Sequence, residues 1–222
     1  MMTTIYIYLA VLYGVFILSL KFCRSLTGGF LFLFLLIIAT TFVETLGFLS
    51  MVCEDIEWPW VFSIYEPIEY FLLAKYFEII IIDKRIKKSI HKSLIVVIPV
   101  NILLSVLSYQ FGLNKYYSFL LIILCVTTLS LIYFYQLLTY DIDKTLTRNP
   151  NFFIVLGILL FYSCSFLLMG LIYFIYQENL KLARQIFSIN HILNIFYYSL
   201  IGYAFYIQWK STKSSSSSLE GH

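Results

Sequence analysis

Glu44, Glu66 and Glu69, with Asn190, His191 and Asn194, are the side chains best placed to do chemistry in this chain. Each lies inside a long apolar run, where a charged or strongly polar group is costly and therefore faces a protein interior or a wet cavity. Glu66 and Glu69 are three residues apart and share a helix face; Asn190 and Asn194 are four apart, with His191 at their border. Glu44 stands about nine residues before the end of its run, Glu66 about eight after Trp58, and His191 about five into its own run. At 1.5 Å per residue, all three lie roughly 8–14 Å below one membrane surface. Carboxylates, amides and an imidazole from three helices are thus expected in one layer. Three neighbouring carboxyls cannot all be ionised cheaply. Such a cluster suits a cation, an amine or a transferable proton. The competing reading is interhelical glue, because Glu, Asn and His also hydrogen-bond across a bundle simply to hold it together.

Other polar groups are expected to do less. Lys75 and Glu78 are spaced for a local ion pair. Asn101, Thr127 and Thr128 read as packing contacts, and Ser163, Cys164 and Ser165 as small residues for close helix approach. Glu54, Asp55 and Glu57 would attract cations to a mouth above the layer, or form an ordinary solvated loop. Cys23, Cys53, Cys125 and Cys164 show no C-x-x-C or metal-ligand spacing, so no metal, disulfide or catalytic thiol is expected. No cofactor motif and no nucleophile elbow occurs, and no catalytic residue is assigned. Pro67 removes a backbone donor and should loosen its helix beside Glu66.

The elements that must position these groups follow from composition. Of the 222 residues, 61% are hydrophobic and 12% charged, against about half and a quarter in a soluble domain. Runs of about 20 apolar residues, each long enough to cross a bilayer core, recur throughout. The fold class expected is all-α: a polytopic membrane protein with seven transmembrane helices near 5–20, 30–52, 60–82, 93–111, 116–138, 152–176 and 186–208. The transmembrane domain covers 1–210. Residues 211–222 read as a disordered serine-rich tail whose last residues, Leu219–His222, look like a tag remnant. No Lys or Arg occurs in residues 1–4, so the first run is expected to be a retained helix.

The loops after spans 1, 3 and 5 and the tail hold Lys21, Arg24, Lys84, Arg85, Lys87, Lys88, Lys92, Lys144, Arg148, Lys210 and Lys213. The opposite side holds Lys115, Lys181 and Arg184. The positive-inside rule puts the N-terminus outside and the C-terminus in the cytoplasm of a bacterial-type membrane. The net charge of +3 is therefore topological, and no nucleic-acid partner is expected. The 83–92 loop, DKRIKKSIHK, is a candidate dock for a cytoplasmic protein or anionic lipid. Trp58, Trp60, Tyr116, Tyr117, Tyr140 and Trp209 fall near span ends, as interfacial aromatics do.

FSIYEPIEYF from Phe62 aligns with FSINHILNIF from Phe187, bringing Glu66 to His191 and Glu69 to Asn194. Spans 1–3 and 5–7 would then be parallel copies joined by span 4, a 3+1+3 plan known among transporters. The stretches IYEPIEYFLLAKYF, LIYFYQLL, RNPNFFIVLGILLFYS and NHILNIFYYSLIGYAF resemble small seven-helix integral membrane proteins common in bacteria. The likeness implies an integral membrane protein and brings no activity with it. Microbial rhodopsins carry a retinal lysine in the last helix, and span 7 here has none before Lys210. The 3+1+3 sugar and vitamin transporters carry a Pro-Gln pair that this chain lacks. Pro67-Ile68-Glu69 is similar to the Pro-x-Glu-Glu element of membrane carotenoid cyclases, but Tyr70 replaces the second acid. The reading that leads is a small carrier whose outward-facing acidic pocket binds a cation, an amine or a proton-coupled small solute; the partners expected are the lipid bilayer and a small cationic or amphiphilic ligand. A receptor or accessory subunit signalling through a cytoplasmic partner, and a membrane enzyme acting on a lipid or isoprenoid, are the alternatives.

Overall fold

A computed structural model of the chain describes residues 2–23, 26, 28–53, 59–111, 116–140 and 149–219. It is all-helical, with seven helices: α1 (Met2–Phe22), α2 (Gly29–Val52), α3 (Pro59–Ile80), α4 (Lys84–Phe111), α5 (Tyr116–Tyr140), α6 (Pro150–Glu178) and α7 (Leu180–Leu219). Five, within α1, α2, α4, α5 and α6, are long and apolar enough to cross a membrane, as in a multi-pass membrane protein. Helix is the form that lets such a run satisfy its own backbone without water. α3 and α7 are not among the five, and they carry five of the six singled-out polar residues. The outer surface is apolar, with Ile17, Phe42, Ile95 and Leu167 all more than 60% exposed, a pattern suited to lipid. Glu54, Asp55, Glu57, Trp58, Arg24, Lys115, Lys144 and Arg148 lie outside the described residues.

The helices α1, α2, α3, α5, α6 and α7 pack each against the next, and α7 returns to α1. α4 lies outside this ring, against α3 and α5. Small residues permit the closest approaches. A Cβ on Gly29 would meet the buried Tyr76 ring of α3 at 2.9 Å, and one on Gly202 of α7 would meet Val15 of α1 at 3.0 Å. The core between the helices is aromatic as well as aliphatic, with Tyr70, Tyr76, Phe77, Tyr162 and Phe205 all but fully buried.

Two expectations change. The basic 83–92 stretch is not a loop: from Lys84 onward it forms the first turns of α4. Asp83 starts that helix by accepting hydrogen bonds from the backbone N–H groups of Arg85 (2.7 Å) and Ile86 (3.4 Å), as an N-cap does. Ile90, Leu94, Val97 and Asn101 then form one buried stripe at helical spacing. With 28 residues, α4 is about 42 Å long, so its basic turns extend past a bilayer core of about 30 Å. α7 likewise continues to Leu219, through the serine run expected in a disordered tail; extending an existing helix costs far less than nucleating one. Asn149-Pro150 opens α6, with the Asn149 side chain accepting from Asn151 N–H at 2.9 Å. Pro67 leaves α3 continuous over its 22 residues.

Candidate binding site

A cavity of about 390 Å³ sits inside the ring, toward the end where α1 begins, α2 ends and α3 begins. Glu44, Glu66, Glu69, Asn190, His191 and Asn194 all line it. All six ring helices contribute to the wall and α4 does not. The convergence follows from helix geometry: a fixed rise per residue puts side chains of equal depth at one level.

Glu69 is held most firmly. It is 8% exposed. Its Oε1 accepts the Tyr162 hydroxyl of α6 at 2.7 Å and the Tyr65 hydroxyl at 3.2 Å. Tyr65 lies one turn earlier on the same helix, and its hydroxyl also meets Thr40 Oγ1 of α2 at 2.6 Å. One carboxyl oxygen thus gathers α2, α3 and α6, and Glu69 lines the cavity.

Glu66 turns the other way. Its Oε2 accepts from Nδ2 of Asn101 in α4 at 3.2 Å, and the same nitrogen donates to the Ser118 carbonyl of α5 at 3.0 Å. The two carboxyls share a helix face yet are anchored on opposite neighbours. The buried Tyr8 hydroxyl of α1 lies beside Glu44, though no acceptor meets it in good hydrogen-bond geometry. The Tyr8 ring stacks on His191, with centroids 5.7 Å apart. On α7, Asn194 Nδ2 donates to its own helix at the Asn190 carbonyl (3.0 Å), and Ser165 Oγ donates to Asn190 Oδ1 (3.4 Å).

Sequence reasoning gives Asn101 as a packing contact and passes over Tyr8, Tyr65 and Tyr162. Tyr65 carries a signal, its four-residue spacing to Glu69. Tyr162 carries none, being 93 residues away from Glu69. The Lys75–Glu78 ion pair forms as expected, at 2.7 Å, with His91 of α4 3.8 Å from the other Glu78 oxygen. It belongs to the basic end of the bundle, away from the cavity.

The cavity wall holds three carboxyls and one imidazole, with no Lys or Arg among the described residues. Burying unpaired carboxylates is costly unless they stay neutral or meet a counter-charge. Aromatic rings supply much of the rest: Tyr8, Phe48, Phe62, Tyr65, Phe119, Phe161 and Tyr198. Carboxyls and ring faces together attract organic cations. Among the described residues, no three of His, Cys, Asp and Glu are grouped to hold a metal ion. The chain matches no protein-family model, no curated protein and no solved structure, so the reading of this site rests on its geometry.

Proposed function

We propose that the protein is a small membrane carrier whose central cavity binds a small organic cation of the amine or ammonium class. The observation that carries this reading is the convergence of all six polar side chains on one cavity lined by aromatic rings. Its volume of about 390 Å³ falls in the ordinary range for small-molecule sites, about 300–1,000 Å³. Glu69 provides the fixed counter-charge, positioned by Tyr162 and Tyr65. Glu44 and Glu66 complete an acidic wall opposite Asn190 and His191.

In this reading all seven helices cross the bacterial cytoplasmic membrane, α3 and α7 with their polar residues turned into the ring. The described Lys21, Lys84, Arg85, Lys87, Lys88, Lys92, Lys210 and Lys213 belong to the end opposite the cavity, which the positive-inside rule makes cytoplasmic. The cavity then opens outward. The ring order supports a 3+1+3 repeat. Matching α1, α2 and α3 to α5, α6 and α7 converts every neighbour pair in the ring into another neighbour pair. α3 and α7 stand opposite each other in that order, so the aligned pairs Glu66/His191 and Glu69/Asn194 line the cavity from opposite sides. Parallel repeats around a mid-membrane site are one construction for alternating access.

Uptake of labelled ethylammonium and tetramethylammonium into proteoliposomes tests the reading. It predicts uptake above empty liposomes that Glu69→Gln abolishes. Equal uptake with and without protein for both cations refutes it.

A further inference from the structure

A second and larger cavity, about 970 Å³, lies on the flank of the bundle between α3, α4 and the first turn of α5. It exists because α4 stands outside the ring. Its rim faces outward: Trp60 is 59% exposed, Ile64 53% and Ile102 47%. We propose that this flank cavity is a membrane-facing site for a single-chain amphiphile with a primary-amine head, the ammonium seated at Glu66 and the chain lying along Ile64, Ile68, Ile102 and Val106.

Residues that carry three kinds of acceptor line this cavity. The first is the Glu66 carboxylate, steadied on one oxygen by Asn101, a residue with no exposed surface. The second is the Ser63 carbonyl, because Pro67, which also lines the cavity, has no N–H to give it. The third is Ser105 Oγ, buried and without a hydrogen-bond partner. A primary ammonium presents three N–H donors and no acceptor, which matches this set. An acid head is disfavoured, since no Lys or Arg among the described residues lines the cavity. A neutral alcohol offers one donor, and its bond to a carboxylate lacks the added strength of ionised partners on both sides. The remaining wall is largely apolar, as a hydrocarbon chain requires.

The site is separate from the central one, although Phe62 and Glu66 line both cavities. It does not depend on carrier activity.

Trp60 sits on the rim and reports occupancy. The full chain with Trp58→Phe and Trp209→Phe, in phosphatidylcholine nanodiscs, is titrated with 9,10-dibromooctadecylamine. The matched dibromo acid and dibromo alcohol serve as controls. The amine should quench Trp60 saturably, and the acid and alcohol only in proportion to their bilayer content. Glu66→Gln should raise the amine midpoint about ten-fold or more, as expected for losing a hydrogen bond between charged groups. Ser105→Ala, which removes only the hydroxyl, should raise it about three-fold or more. Glu69→Gln, confined to the central cavity, should leave the midpoint unchanged. Non-saturable quenching by the amine overturns the proposal. So does a midpoint for acid or alcohol equal to that of the amine, an unmoved midpoint in Glu66→Gln, or a shift in Glu69→Gln as large as in Glu66→Gln. None of these outcomes decides the tetramethylammonium uptake measurement, because that cation has no N–H donor to place at the flank site.

Discussion

Replacing Tyr162 with Phe removes the buried hydroxyl that anchors Glu69 and leaves the ring in place. That hydroxyl donates to Glu69 Oε1 at 2.7 Å, and Tyr162 has no exposed surface. In water-soluble proteins a hydrogen bond to a charged group contributes about 1.5–3 kcal/mol. Between membrane helices the measured average is about 0.6 and the maximum about 1.7 kcal/mol, because the unfolded helices find other partners. The membrane scale applies here, and the short distance places this bond in its upper half, about 1–1.7 kcal/mol. Tyr65 still donates to Glu69 at 3.2 Å, so the carboxyl is not stripped. For a chain of this size about 1 kcal/mol shifts Tm by 2–4 °C, so Tyr162→Phe should lower Tm by about 2–7 °C in mild detergent. The assay is a double-mutant cycle with Glu69→Leu. Once the acceptor is gone, the buried Tyr162 hydroxyl is an orphan. Tyr162→Phe should then be neutral or raise Tm. If Tyr162→Phe costs the same in both backgrounds, within about 1 °C, the two residues are not coupled and the anchoring of Glu69 argued above is refuted.

Three further outcomes are expected from the same measurement or from hydrogen exchange. Tyr197→Phe should behave oppositely to Tyr162→Phe, leaving Tm unchanged or raised. Its hydroxyl is buried without a partner, and the ring stack on Phe161 at 5.0 Å is kept. Gly29→Ala should destabilise by about 1–3 kcal/mol, because the added methyl lies 2.9 Å from the buried Tyr76 ring. Asp83→Ala should cost about 1 kcal/mol through the lost α4 cap and speed amide exchange at Arg85 and Ile86 while leaving α5 unchanged.

The depth of the polar side chains was legible because a helix advances by a fixed amount per residue. Glu44, Glu66 and His191 could be levelled by counting from span ends, and all three line one cavity. Their partners were not legible. Tyr162 is one of 19 tyrosines, and only its reach from α6 across the ring to Glu69 of α3 selects it. Asn101 looked like any isolated amide in an apolar helix until α4 placed it on Glu66. The start of α4 was hidden because its basic turns break the apolar pattern, whereas Asp83 caps a helix whose inner stripe begins at Ile90. The flank cavity had no sequence signal, since it arises from α4 standing outside the ring. Sequence similarity gave no help with any of these.

The central claim is that the acidic cavity binds a small organic cation at Glu69. Native mass spectrometry of the intact chain, released from mild detergent with tetramethylammonium, which has no N–H to place in the flank cavity, tests it most directly. The account predicts a stoichiometric tetramethylammonium adduct on the unmodified chain and none on Glu69→Gln. Adducts of equal abundance on both chains, or no adduct on either, would contradict it.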